Sequence, residues 1–170
     1  MIQNRFVAML DIAGFKKIVE NEPTEKVYDL MKKVQVQVAH YEYIKDSINL
    51  DIATFSDSIV IASKDGSKES FEDIILASSQ FEGLFFDNGY AINGTIAYGE
   101  IVFDKGSNII FGMPLNEAHT EQENLFFYGI TLHTSAVEQM EDYKYNIFLS
   151  PPIFSDTILE LNVPLKNKGW

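Results

Sequence analysis

Apolar and polar positions change period repeatedly along this chain, and each change marks a predicted element. Residues 4–12 carry the apolar run Phe6-Val-Ala-Met-Leu10, read as a buried strand that ends at Asp11. A tight Ala13-Gly14 turn follows, and a helix is predicted from Gly14 to Glu20. Pro23-Thr24 opens a second helix, in which Val27, Leu30, Met31, Val34 and Val38 recur at three- and four-residue spacing to about His40. Residues 49–55 and 58–63 read as two strands of a hairpin turning at Ser56-Asp57. A long amphipathic helix over Glu69–Asn88 carries Phe71, Ile74, Ile75, Ser78, Phe81 and Phe85, and Asn88-Gly89 ends it. Tyr90–Tyr98 is a strand with a kink expected at Gly99, and Ile101–Phe103 and Asn108–Phe111 flank the turn 104–107 as a hairpin. Pro114–Glu123 reads as a helix with proline in its first turn, Leu125–His133 as a strand, and Thr134 as the cap of a short helix to about Met140. Ile147–Ser150 and Leu161–Leu165 are weaker strand patterns separated by the break Pro151-Pro152. The order β-α-α-β-β-α-β predicts a ferredoxin-like α+β fold, an antiparallel-centred sheet with helices on one face.

Composition narrows the class. A chain of 170 residues suits one domain, residues 1–170, and 46 % hydrophobic with 13 % aromatic residues is globular composition. No secretory signal pattern opens the sequence, and no apolar run is long enough to span a bilayer. The absence of cysteine excludes disulfide and thiolate chemistry and fits a cytoplasmic protein. A net charge of −12 argues against nucleic acid as a partner, because a phosphate backbone selects a basic face. An acidic chain can still bind a nucleotide through metals, backbone amides and a few placed cations. Arg5 is the sole arginine, beside twelve lysines, so it is the one candidate for any role that needs a guanidinium.

Two carboxylates carry the candidate chemistry. Asp11 closes a buried strand and Asp57 sits at a hairpin tip, positions that neighbouring strands can bring to one point. Converging carboxylates in an apolar frame repel unless a cation lies between them, and oxygen-only ligands favour magnesium or manganese. The bland alternatives are a helix N-cap for Asp11 and an ordinary turn residue for Asp57. The helix start at Ala13, Gly14 and Phe15 offers backbone N–H groups suited to a polyphosphate.

Asp11-Ile-Ala-Gly-Phe15 followed by Phe55-Ser-Asp-Ser-Ile-Val-Ile61 resembles the catalytic domain of class III nucleotidyl cyclases. Asn93-Gly-Thr-Ile-Ala-Tyr-Gly-Glu100 and Ile110-Phe-Gly-Met-Pro-Leu-Asn-Glu-Ala118 are similar to two later blocks of that family, so the likeness runs over roughly residues 5–135. The Phe-Ser-Asp-Ser form and the short chain resemble the bacterial pyrimidine cyclases of anti-phage signalling. The resemblance implies the same α+β fold. It also implies two magnesium or manganese ions per site, held by Asp11, the Ile12 carbonyl and Asp57. It places the ribose-orienting residue at Asn116, with Gly112 allowing close approach of backbone to ligand, and base-contacting positions at Ala53 and Ile109. Family sites lie between two catalytic domains, so a single-domain chain implies a head-to-tail homodimer that binds a nucleoside triphosphate.

The chain also departs from the family. Purine cyclases choose their base with a polar pair, whereas Ala53 and Ile109 are apolar, which is compatible with UTP or CTP. Thr120 stands where the family places its transition-state arginine, and Asn93 where bacterial relatives often begin Arg-Gly. Lys16, Lys17 and Lys105 are the candidate replacement cations. Two readings remain open: a cyclase making a 3′,5′-cyclic nucleotide and pyrophosphate, or a catalytically degenerate nucleotide- or metal-binding regulatory module. His40, His119 and His133 are not at metal-ligand spacing, and His119 reads as a surface residue beside the candidate site helix. No GxSxG, P-loop, HExxH or dinucleotide fingerprint occurs, which leaves hydrolase, kinase and dehydrogenase readings without support.

Overall fold

The computed structural model describes residues 2–141, and the two predicted strand patterns near the C-terminus, 147–150 and 161–165, lie outside them. Eleven elements follow in the order β1 (Ile2–Ile12), α1 (Phe15–Asn21), α2 (Thr24–Tyr43), β2 (Asp51–Phe55), β3 (Ser58–Ala62), α3 (Lys68–Asp87), β4 (Ile92–Asp104), β5 (Ile109–Gly112), α4 (Met113–Asn124), β6 (Gly129–Leu132) and α5 (Thr134–Glu141). The sheet runs β2-β3-β1-β4-β5, all neighbours antiparallel, with β6 added to β4 in parallel. The α+β class and the antiparallel-centred sheet are therefore as the residue pattern predicts.

β1 is the central strand, and its alternation divides the core. Phe6, Ala8, Leu10 and Ile12 point to one face, where they meet Leu30 and Val34 of α2, Phe71, Ile74 and Phe81 of α3, and Ala136 of α5. The helical stripes read from sequence thus cover this face. The other face has a smaller apolar cluster of Val7, Ala62, Ile101 and Phe103, packed by Leu115 of α4. The expectation of helices on one face is therefore corrected: α4 sits opposite the rest, because β4 and β5 carry apolar residues on both sides.

Gly99 does not kink its strand. The β1–β4 register is unbroken from Ile2↔Val102 to Ile12↔Ile92, so β4 is one strand of 13 residues. A side chain at Gly99 would lie 3.3 Å from Pro114 Cδ, and the glycine makes room for α4 on that face. β4 is long enough to share its outer edge, pairing with β6 over Asn93–Ile96 and with β5 over Ile101–Asp104. The predicted strand over 125–133 shortens to 129–132 for this reason: only that stretch reaches β4.

The sole arginine is part of the fold. Arg5 is 5 % exposed. Its Nη2 donates to Asp51 Oδ2 at 2.6 Å and to the Ala62 carbonyl at 3.4 Å, its Nε donates to the Ser63 carbonyl, and its guanidinium lies 5.9 Å from the Phe103 ring centre. It knits β1 to β2 and β3 at the end of the sheet away from Asp11. The six-residue step from Arg5 to Asp11 along the strand corresponds to about 20 Å.

Candidate active site

Strand register explains why the Asp57 turn lies beside the end of β1. Asp11 pairs laterally with Ser58 on β3 and with Asn93 on β4, and Phe55 pairs with Ser58. The hairpin turn between β2 and β3 therefore lies beside the end of β1. Ser56 takes the left-handed conformation (φ +53°) that reverses the chain there, and the next residue is Asp57. The Ile12 N–H donates to the Asp57 carbonyl at 3.2 Å and the Ser58 hydroxyl donates to Asp11 Oδ1 at 3.1 Å. These two bonds fix the strand end and the hairpin tip against each other. Asp11 and Asp57 are both half-buried, and Ile12 is buried.

The donors that the resemblance implies, two carboxylates and a peptide carbonyl, are all oxygen and suit a hard divalent cation. Among the described residues no group of three or more His, Cys, Asp or Glu gathers at metal-binding distance. Any metal here would therefore rest on the two aspartates with backbone oxygen, the set that the resemblance implies. The neighbouring turn has more restricted means. Gly14 adopts φ +70°, a conformation that favours glycine, and begins a helix of only seven residues. The Ala13 N–H is engaged by the Ala91 carbonyl at 2.9 Å, so Ala13 contributes no amide to a phosphate, and Gly14 and Phe15 are left as the backbone donors of this turn.

The other predicted positions fall elsewhere on the sheet. Ala53 lies one lateral row from Asp11, paired through Val60 to Met9, on the same face. Ile109 pairs with Asp104 at the far end of β4, on the opposite face and half-exposed. One subunit therefore does not bring Ala53 and Ile109 together. At Gly112 a Cβ would stand 2.5 Å from the Glu100 carbonyl oxygen and 2.8 Å from Ile101 Cα, so the close approach here is to β4. Gly112→Ala should therefore destabilise the fold by about 2 kcal/mol, read as a lower urea midpoint, because the β4 backbone it would meet cannot yield.

Asn116 is exposed on α4 and lines an open cavity of about 240 Å³ with Met113, Glu117, Thr120, Glu121 and His133. His133 carried no signal in the sequence, yet β6 places it beside α4. Of the candidate cations, Lys105 pairs with Glu42 at the far end of the sheet and does not belong to this site. Lys16 and Lys17 open α1, directly after the Asp11 strand, and Lys16 lies 4.0 Å from Glu20. His119 is exposed, 3.8 Å from Glu123.

This topology, with Asp11 at the end of β1 and Asp57 at the β2–β3 turn, is the fold of class III nucleotidyl cyclase catalytic domains. The guanylyl cyclase Cya2 superposes with a TM-score of 0.61 at 10 % identity, over 82 % of this chain and 79 % of that one. The guanylate cyclase domain of RhGC from Catenaria anguillulae, solved with GTP, gives 0.60 at 13 % identity over 83 % and 84 %. The adenylyl cyclase CyaB from P. aeruginosa gives 0.53 at 15 % identity over 84 % and 83 %. At these identities the likeness is one of fold. No protein-family profile and no curated protein sequence matches the chain. Among the described residues no helix is long and apolar enough to cross a membrane.

Proposed function

We propose that this chain is a nucleotidyl cyclase that converts a nucleoside triphosphate, UTP or CTP, to its 3′,5′-cyclic monophosphate and pyrophosphate. The observation that carries this reading is the pinning of Asp57 against Ile12, beside Asp11, on a cyclase fold. In the reaction the ribose O3′ forms a bond to the α-phosphorus, the bond from that phosphorus to the β-phosphate bridge breaks, and the hydroxyl proton passes to solvent. Two magnesium or manganese ions bound there would acidify the 3′-hydroxyl and neutralise the triphosphate. Asp11, Asp57 and the Ile12 carbonyl hold that charge in place. The Gly14 and Phe15 amides, with Lys16 and Lys17, face the outer phosphates. Asn116 orients the ribose from a second copy of the chain in a head-to-tail homodimer. The half-buried row Ala53, Val60 and Met9 and the 82 % exposed Phe55 lie on the sheet face that such a partner would cover. The apolar Ala53 and the Phe-Ser-Asp-Ser hairpin support a pyrimidine substrate and a cytoplasmic role in anti-phage signalling.

A second reading has its own support. With Arg5 locked into the fold and Thr120 on the Asn116 cavity, the chain has no arginine to stabilise a developing phosphoryl charge. It would then be a nucleotide- or metal-binding regulatory module. Incubating the protein with each of ATP, GTP, CTP and UTP and Mn²⁺, followed by mass spectrometry, separates the two. A cyclic product that vanishes in Asp57→Ala supports the cyclase. Absence of product from all four, with nucleotide bound by wild type and not by the variant, supports the module.

A further inference from the structure

At the Arg5 end of the sheet the two faces are covered unequally. On one face Ile101 and Phe103 are buried against Leu115 of α4. On the other, Phe6, Ala8, Leu10 and Ile12 lie in the main core, but the cover stops at Phe6. Strand alternation puts Ile2 on the same face as Phe6, and register sets Ile2 beside Val102 and Val102 beside Phe111 in one lateral row. Ile109 follows two positions from Phe111 on that face. Ile2 is 62 % exposed, Phe111 59 % and Ile109 47 %, and Val102 is half-buried between Ile2 and Phe111. Single exposed apolar side chains are ordinary, but a contiguous row of them on one sheet face marks a surface built to be covered. Among the described residues this row stays open to solvent.

The chain itself supplies an occupant, because α5 ends beside the last covered row. Its Gln139 Nε2 donates to the Gly66 carbonyl at 3.1 Å, Gly66 lies against the Tyr98 ring, and that ring is 4.9 Å from Phe6. Met140, next to the end of α5, is buried in the same core. From the Phe6 row to the Ile2 row is four strand residues, about 13 Å. The sequence continues past Glu141 with residues 142–170, and the apolar run Ile147-Phe-Leu149 begins six positions on, a reach of about 20 Å when extended. Charge separates this occupant from a second copy. Glu100 and Asp104 stand on the open face beside the row, so two such faces laid together would oppose like carboxylates. Residues 142–150 carry Asp142 and Lys144 and no net charge. We propose that Ile147-Phe148-Leu149 docks on the row formed by Ile2, Val102 and Phe111 and completes the cover of the sheet. This holds whether or not the chain binds a nucleotide.

A photo-cross-linker on the row tests this in the full chain. With Phe111 replaced by p-benzoylphenylalanine, an equal mixture of normal and heavy-nitrogen protein is irradiated and its peptides are read by mass spectrometry. Position 111 should be joined to a peptide within 142–170, each linked pair carrying a single isotope. Pairs of mixed isotope put a second copy on the row and overturn the proposal, and so does the absence of any link to 142–170. Thermal melts give an independent reading. Phe111→Glu and Ile147→Glu should each lower the melting temperature by about 5–10 °C, because each sets a carboxylate in an apolar contact. The double variant should melt close to the lower of the two, since one contact can be lost only once. A Phe111→Glu protein that melts within about 1 °C of wild type, as a solvent-facing substitution would, overturns the docking, as does full additivity of the two losses.

Discussion

Replacing Asp11 with asparagine is expected to lower cyclic-nucleotide formation on the order of a hundred- to a thousandfold, the loss that follows removal of one preorganised electrostatic group. The substitution changes charge and little else. The asparagine carbonyl can still accept the Ser58 hydroxyl that holds Asp11 Oδ1 at 3.1 Å, and the half-buried position tolerates an amide. The melting temperature should therefore stay close to that of wild type. Product rates measured at saturating Mn²⁺, beside a thermal melt, check both statements. A variant that keeps the wild-type rate would remove Asp11 from the chemistry, and with it the two-aspartate site.

The largest loss of stability belongs to Arg5. Arg5→Ala should cost about 3 kcal/mol in urea unfolding, because it leaves a partly buried carboxylate and two carbonyls without the donor they share. Lys45, which reaches Asp51 Oδ1 at 2.9 Å, keeps the loss from being greater. Arg5→Met should lose less than Arg5→Ala, since the longer chain still packs on Phe103. The same group gives a pH signature. Burial pushes the Asp51 carboxyl up, but hydrogen bonds from Lys45 and Arg5 overcome this and hold it below the ordinary value. A carboxyl depressed in the folded state contributes stability above its unfolded pKa, near 4, and loses it as pH falls through the lower folded value. Wild-type stability should therefore fall below about pH 4, and Arg5→Ala should show a shallower fall there. An equal pH slope in the two proteins would show that Arg5 does not govern Asp51.

Much of this architecture could be read from period alone. The α2 and α3 stripes, the hairpin around Asp57 and the Gly14 turn are local patterns, and local sterics decide them. Features that depend on distant partners could not be read that way. Gly99 suggested a kink, but an unbroken ladder to β1 joins the two halves of β4 into one strand, and Pro114 occupies the space the glycine leaves. Arg5 was the only guanidinium a nucleotide site could use, yet its partner Asp51 lies 46 positions on, and no short-range spacing reveals that pair. Lys105 was similarly a free cation in sequence and a partner of Glu42 in space. His133 was passed over because nothing links position 133 to 117 until β6 docks in parallel on β4. Asp11 and Asp57 were legible because each sits at the end of a strand whose neighbour the hydrophobic pattern already names.

β1 carries its structural lock at Arg5 and the candidate metal ligand Asp11 about 20 Å apart along one strand. Substitutions that far apart with no shared partner combine additively. The Arg5→Met, Asp11→Asn double variant should then show the stability of the first and the activity loss of the second, with a coupling energy near zero. If the chain turns over a nucleotide as proposed, robustness and turnover are thus separately adjustable, and selection for one leaves the other free to drift.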